Sequence, residues 1–258
     1  MQVLVILQAR VSSSRLPGKV LKTILDKTML AHQIERLQLA KNFDKLIVAT
    51  SSLESDKKIV SLCRELAIDC FQGDINDVLN RYYQAAKVYQ PQHIVRVTGD
   101  CPLIDAEIVD QVIALHLQGS YDYSSNIAPP TLPDGLDVEI FTFKALEIAW
   151  QKSKSKADRE HVTLFIRNNP QLFKCQNYCY PNDLSHLRWT VDEVEDFEFV
   201  SAIYQKLYRD NPNFSLNDVL ELLNKEPELA LINDKFTRNQ ALNTEQLLPK
   251  NHLISKDN

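Results

Sequence analysis

Apolar, β-branched runs of strand length alternate with amphipathic stretches of helical length through the first 120 residues, the pattern of parallel strands joined by crossover helices. Residues 3–7, VLVIL, are apolar throughout and read as a strand buried on both faces. The pattern predicts a helix over 29–39, a strand over 45–49 and a helix over 56–66 with Ser55 as its N-cap. Residues 75–88 form another helical stretch. A short strand over 94–97 then runs into Thr98, Gly99 and Asp100, and a helix follows over 106–117 with Asp105 placed to cap it. The fold class is α/β, a doubly wound and mostly parallel sheet, so ligands are expected at the C-terminal edges of the strands.

From about 120 to 181 the pattern changes to Asn, Asp, Pro and Gly punctuation, with a strand-like DVEIF and a helix near 160–167. This stretch is predicted to be an inserted α+β subdomain. Regularity returns with a strand over 187–191 and helices over 196–207 and 216–223. Residues 1–232 are taken as one domain carrying the insertion, and 233–258 as a loosely held polar tail.

The chain has 258 residues, 44% hydrophobic and 24% charged, enough for a core without disulfide or metal staples. Its 29 Lys and Arg against 34 Asp and Glu leave a net charge of -5, the wrong sign for coating nucleic acid or an anionic membrane. Any phosphate site must therefore be built locally. The first apolar run is five residues long, too short for a signal-peptide core or a membrane span, so a cytoplasmic address is expected. Five cysteines, an odd number with no CxxC pair, read as reduced thiols. Cys175 and Cys179 are expected on one face of a strand, in a packing role.

Candidate chemistry lies after the first strand. QARVSSSRLPGKVL sets Arg10, Arg15 and Lys19 among Ser12, Ser13 and Ser14. A triphosphate carries roughly four negative charges, and Arg forks, a Lys ammonium and loop N–H groups are the donors that oppose it. A solvated basic loop is the alternative on these residues alone. The loop is neither a Walker A sequence nor GxGxxG, since Gly18 is its one glycine.

QARVSSSRLPGKVL resembles the N-terminal signature of the sugar-acid cytidylyltransferases, the family of the 3-deoxy-manno-octulosonate and acylneuraminate enzymes, and most closely its spore coat polysaccharide branch. The resemblance continues in order through GDINDVLNRYYQAA, VRVTGDCPLID, PDGLDVEIF, REHVTLFI and LRWTVDEVEDFEFV. It implies a nucleotidyltransferase fold akin to GT-A glycosyltransferases, and magnesium-assisted transfer of CMP from CTP to a sugar acid or related anionic acceptor for surface polysaccharide. It implies triphosphate contacts from Arg10, Arg15 and Lys19, with Arg10, Lys19 and Asp100 catalytic, and Asp100 and Asp192 as magnesium ligands. Glu195 and Asp196 read instead as helix-start acids.

Ala9, Thr50, Ser51 and Arg81 are the candidates for reading the base. The acceptor falls to the insertion, with Asn126, Asp134, Asp137, Glu139, Arg159, His161 and Arg188 as candidates. A homodimer is expected, because the family dimerises through its insertion and Ile140, Phe141, Phe143 and Trp150 lie there outside the regular pattern. Two other readings stay open. One is a glycosyltransferase of similar architecture, although its usual DxD metal motif has no counterpart at a comparable strand end. The other is a relative without catalysis, although Lys19, Asp100 and Asp192 are all present.

Overall fold

The computed structural model describes residues 1–238. The apolar run at the N-terminus becomes β1 (Val3–Gln8), an interior strand of the sheet. A small antiparallel pair, β2 (Thr23–Ile24) and β3 (Lys27–Thr28), precedes α1 (Met29–Leu37). The chain continues through β4 (Lys45–Ser51), α2 (Lys57–Glu65), β5 (Asp69–Gly73), α3 (Val78–Tyr89), β6 (His93–Thr98) and α4 (Ala106–Gly119). It then forms β7 (Tyr123–Ser125), β8 (Glu139–Thr142), α5 (Phe143–Lys152), α6 (Lys156–Glu160), α7 (Leu164–Arg167), β9 (Cys175–Asn177), α8 (Val194–Leu207) and α9 (Leu216–Lys225).

One sheet of order β5-β4-β1-β6-β8-β7-β9 runs through the molecule. Its β5-β4-β1-β6 half is parallel and β8 is antiparallel to both its neighbours, so strands from the 120–181 stretch extend the same sheet. Alternation along β1 feeds two cores. Val3, Val5 and Leu7 pack with α1, α4 and α8, whereas Leu4 and Ile6 pack with α3 and α5. In register, Gln8 lies beside Ala49 and Thr98. The loops leaving β1, β4 and β6 therefore emerge together at one edge, as a doubly wound sheet requires.

Several local expectations are corrected. Helix α2 begins at Lys57, after a turn at Glu54–Asp56, and Ser55 does not cap it. Residues 187–191 are extended but form no named strand; one parallel bridge joins Asp134 to Arg188. The helix expected over 160–167 is broken between α6 and α7, where Val162 adopts φ 49°. Edge strand β5, unrecognised in the pattern, is DCFQG, without a clear alternation, and borrows its order from β4. Cys175 starts β9 but Cys179 lies beyond it, and both are exposed, so the packing role fails. Asp105 caps α4 as expected, accepting from the Glu107 and Ile108 amides at 2.9 and 3.2 Å.

The apolar residues offered for dimerisation find partners inside the chain. Ile140 and Phe141 are fully buried. Trp150 stacks on Tyr83 at 4.2 Å and donates through Nε1 to Asn80, and Phe143 also lies against Tyr83. These side chains need no second copy.

Candidate active site

The loop after β1 is closed by the Gly18 amide donating to the Val11 carbonyl at 3.0 Å, with Gly18 at φ 71°, where a side chain is disfavoured. Its far side is pinned by buried Asp56, which accepts from the Val11 amide at 2.8 Å. Ser12, Ser13, Ser14, Arg10, Arg15 and Lys19 all line one cavity of about 530 Å³, with Ala9, Gly99, Asp100 and Asp192. The structure thus brings together the predicted triphosphate loop and both predicted acidic residues. Arg10 is exposed in this cavity.

Lys19 is the centre of the arrangement. It starts a short turn at Lys19–Leu21 and is 9% exposed. Its ammonium donates to the Val191 carbonyl at 2.7 Å and to Asp192 Oδ1 at 2.8 Å, and lies 3.5 Å from Asp100 Oδ2. Arg15 reaches the other Asp192 oxygen at 2.9 Å and Glu193 at 3.1 Å. Burial opposes charge on both Lys19 and Asp100. Their attraction outweighs it: the Lys19 ammonium is held above its ordinary range and Asp100 below, the latter aided by hydrogen bonds from Thr98 and Cys101.

Two chain crossings make this geometry. The Val191 amide donates to the Asp100 carbonyl at 2.7 Å, and the Trp189 amide donates to the Asp134 carbonyl at 2.6 Å. Gly135, at φ 111°, permits the second crossing, since a Cβ there would stand 2.5 Å from the Thr190 nitrogen. Asp196 belongs to the scaffold: it accepts from the Asp192 and Glu193 amides at 2.9 Å each and forms a reciprocal cap of α8 with Glu193.

The base candidates separate. Ala9 lines the cavity. Thr50 and Ser51 do not, because both are fully buried and their hydroxyls donate to Asp56, which ties the end of β4 to the loop. Their role is structural, a correction. Arg81, on α3, is 1% exposed and lines neither cavity, and among the described residues its Nε, Nη1 and Nη2 have no hydrogen-bond partner. Its stem packs on Gly73 at the end of β5. A buried guanidinium without an acceptor is costly.

A second cavity, of about 290 Å³, shares Arg15, Arg96, Thr98, Asp100, His161 and Asp192 with the first and continues to Asp134, Asp137, Glu139, Arg167, Arg188 and Arg238. Here the acceptor candidates sort by what already holds them. Glu139 accepts from Arg96, from Tyr123 at 2.7 Å and from Thr163 at 2.5 Å. Burial resists its charge, but Arg96, Arg167 and these donors hold the carboxyl below its usual range. Burial raises Asp137 to about 7 despite Arg238 beside it, and raises Asp134 as well.

Three acceptor candidates are corrected. Asn126 is 1% exposed and both ends of its amide are spent on the Leu136 carbonyl and the Val138 amide. Arg159 points away from both cavities, to Asp77 at 2.9 Å and the Trp150 carbonyl. Arg188 lines the second cavity, yet it grips Asp196 through two hydrogen bonds of 2.9 and 2.8 Å and is largely saturated. Other donors lining it are His161, Arg167 and Arg96, whose buried Nε has no partner among the described residues. Arg96, Arg167 and Arg238 were not anticipated. Arg96 sits inside a strand pattern, and Arg238 inside the stretch read as a tail.

Residues 4–243 match the family described as cytidylyltransferase. The chain belongs to the cytidylyltransferase family. The Bacillus subtilis spore coat polysaccharide biosynthesis protein SpsF is 33% identical over 240 residues, covering 88% of this chain and 96% of that protein. A 3-deoxy-manno-octulosonate cytidylyltransferase of Acinetobacter baumannii is 34% identical over 116 residues, 43% of this chain and 44% of the relative. A solved cytidylyltransferase from Leptospira borgpetersenii superposes with a TM-score of 0.85 at 35% identity, covering 89% of this chain and 97% of that one. This cytidylyltransferase is accordingly an enzyme built on a mostly parallel sheet flanked by helices.

Its donor set also bears on metal. Among the described residues no three His, Cys, Asp or Glu converge as a protein-only cage. Asp100 and Asp192, both within reach of one Lys19 ammonium, fit a hard divalent cation that takes one or two carboxylates and fills its shell with water and substrate phosphate oxygens.

Proposed function

We propose that this cytidylyltransferase transfers CMP from CTP to an anionic, hydroxyl-rich acceptor such as a sugar acid, releasing pyrophosphate, in the synthesis of surface polysaccharide. The observation that carries the reading is Lys19, clamped by Asp100 and Asp192 where the two cavities meet. CTP occupies the larger cavity with its phosphates on Arg10, Arg15, Lys19 and the three serines. Asp100 and Asp192 hold Mg2+, which supplies charge neutralisation at the phosphate oxygens.

When phosphates enter, Lys19 and Arg15 exchange carboxylate partners for phosphate oxygens, already near where charge develops. An acceptor hydroxyl oxygen in the smaller cavity bonds to the α-phosphorus, its proton passing to solvent water, and the bond to the pyrophosphate oxygen breaks so that pyrophosphate leaves. Arg81 donates to the base. A guanidinium only donates, so it suits the O2 and N3 acceptors of cytosine and leaves uracil's N3–H unmatched. Arg167 meets the acceptor's negative charge, and His161 offers it a hydrogen bond.

A homodimer in the cytoplasm belongs to the same reading on the family resemblance alone; light scattering at micromolar concentration returning the 29.6 kDa monomer mass removes it. Among the described residues no helix is long and apolar enough to cross a membrane. The central test measures pyrophosphate release with each of four nucleoside triphosphates, with Mg2+ or EDTA, against 3-deoxy-manno-octulosonate, N-acetylneuraminate and glycerol 3-phosphate. CTP-selective, EDTA-sensitive release is expected. Indifference to the triphosphate, or no release with any acceptor, overturns the proposal.

A further inference from the structure

Residues 233–238 fold back over the acceptor side of the site. Asn233 is 3% exposed and donates to Asp196 at 2.8 Å and to the Arg188 carbonyl at 3.0 Å. The Phe236 ring lies 5.6 Å from the Arg188 guanidinium, and Arg188 donates to the Thr237 carbonyl at 3.4 Å. Lys235 pairs with Glu195 on the surface at 2.6 Å. The segment then delivers Arg238 into the smaller cavity, where it donates to the Leu132 carbonyl at 3.1 Å and to Asp137.

We propose that Arg238 is an acceptor-contacting, specificity-determining residue: with Asp137 it presents a donor and an acceptor side by side to neighbouring hydroxyls of the substrate. This rests on the function proposed above. A guanidinium offers five N–H donors and a carboxylate several lone pairs, so the pair keeps hydrogen-bonding capacity after meeting itself. A vicinal diol, in which each hydroxyl both donates and accepts, complements that pair. Placement supports a ligand role over a purely structural one. Asp137 stands in a cavity wall whose other acids are Asp134, Glu139, Asp100 and Asp192, its side chain still 34% exposed, so the pair faces the cavity and a partly exposed ion pair of this kind contributes little net stability. The anchoring of the segment is already provided by Asn233, Phe236 and Lys235, upstream of Arg238.

The experiment compares wild type, Arg238→Ala, Arg238→Lys and Lys235→Ala in full-length protein, by steady-state pyrophosphate release with the acceptor of highest kcat/KM in the panel above. For Arg238→Ala the acceptor KM should rise about tenfold or more, the size of one or two lost hydrogen bonds, with the CTP KM within about twofold of wild type. Arg238→Lys should recover part of the loss, and Lys235→Ala should leave both constants unchanged. An unaltered acceptor KM in folded Arg238→Ala and Arg238→Lys overturns the proposal. So does equal damage to both substrates, or the same loss in Lys235→Ala, which would mark segment anchoring. Absence of release by wild type with every acceptor fails the underlying function and this assignment with it. Release by wild type with Arg238→Ala unaffected fails this assignment alone.

Discussion

A buried guanidinium without an acceptor is the most telling single side chain in the molecule. Burial lowers the pKa of the Arg81 guanidinium, with Arg10 adding repulsion, and among the described residues none of its three nitrogens finds a partner. Such a group lowers stability where no acceptor meets it. Arg81→Met keeps much of the stem that packs on Gly73 and removes the charge. Its melting temperature should equal or exceed wild type, while CTP affinity falls by roughly 1–3 kcal/mol and the preference over UTP narrows. Calorimetric titration of both triphosphates checks this; wild-type affinity for CTP would assign Arg81 to packing. Asp56 teaches the complementary lesson. Read from sequence it was only the start of a helix, yet it is fully buried and serves Val11, Thr50 and Ser51 at once. Long-range acceptors of that kind leave no local signal.

At the level of elements, β6 and β7 are joined on the side of the sheet remote from the cavities by a chain of side chains. His93 Nδ1 lies 3.0 Å from His116 Nε2, and His116 Nδ1 lies 2.9 Å from the Ser124 hydroxyl. Burial, with the charge of His93 adding to it, drives His116 down to about 3, and burial lowers His93 as well. Both are therefore neutral in the folded protein at pH 7. Below the unfolded value near 6.5, the unfolded chain binds protons that the folded chain refuses, so stability is present above that pH and is lost as pH falls toward 3. Each histidine steepens the loss by up to about 1.4 kcal/mol per pH unit. Urea unfolding between pH 6.5 and 5, above most carboxylate titration, should show this slope. His116→Asn should be less stable at pH 8 and flatter across that window. An equal slope in the variant would deny the pair its role. Helix placement along the first half was legible because apolar periodicity and caps such as Asp105 are local. The extended 187–191 segment was misread as a strand because its partners, Asp100 and Asp134, come from distant loops.

Across the whole molecule, a net charge of -5 coexists with a cavity that gathers Arg10, Arg15 and Lys19. Arg15 and Lys19 are held there by Asp192, Asp100 and Glu193. CTP with Mg2+ should bind the folded state alone and stabilise it by about 2.7 kcal/mol at a hundred times its Kd. For a chain of this size that raises the melting temperature by roughly 5–10 °C. Scanning calorimetry with CTP, with and without EDTA, tests it; the same rise with EDTA would take the divalent cation out of CTP binding.

The sequence by itself determined the α/β class, the strand-edge position of QARVSSSRLPGK, and the pairing of that loop with Asp100 and Asp192. Each rests on short-range facts: strand-length apolar runs, residue types that oppose phosphate charge, and acids at strand ends, with a family resemblance joining them. Only the tertiary structure decided which polar groups are free to meet a ligand. Arg188 is occupied by Asp196, Arg159 by Asp77 and Asn126 by Leu136 and Val138, whereas Arg81 has no partner among the described residues. Arg238 reaches Asp137 across 101 residues of chain. A side chain's availability is set by the acceptors packed around it, and those come from parts of the chain whose proximity only the folded sheet and its crossings create.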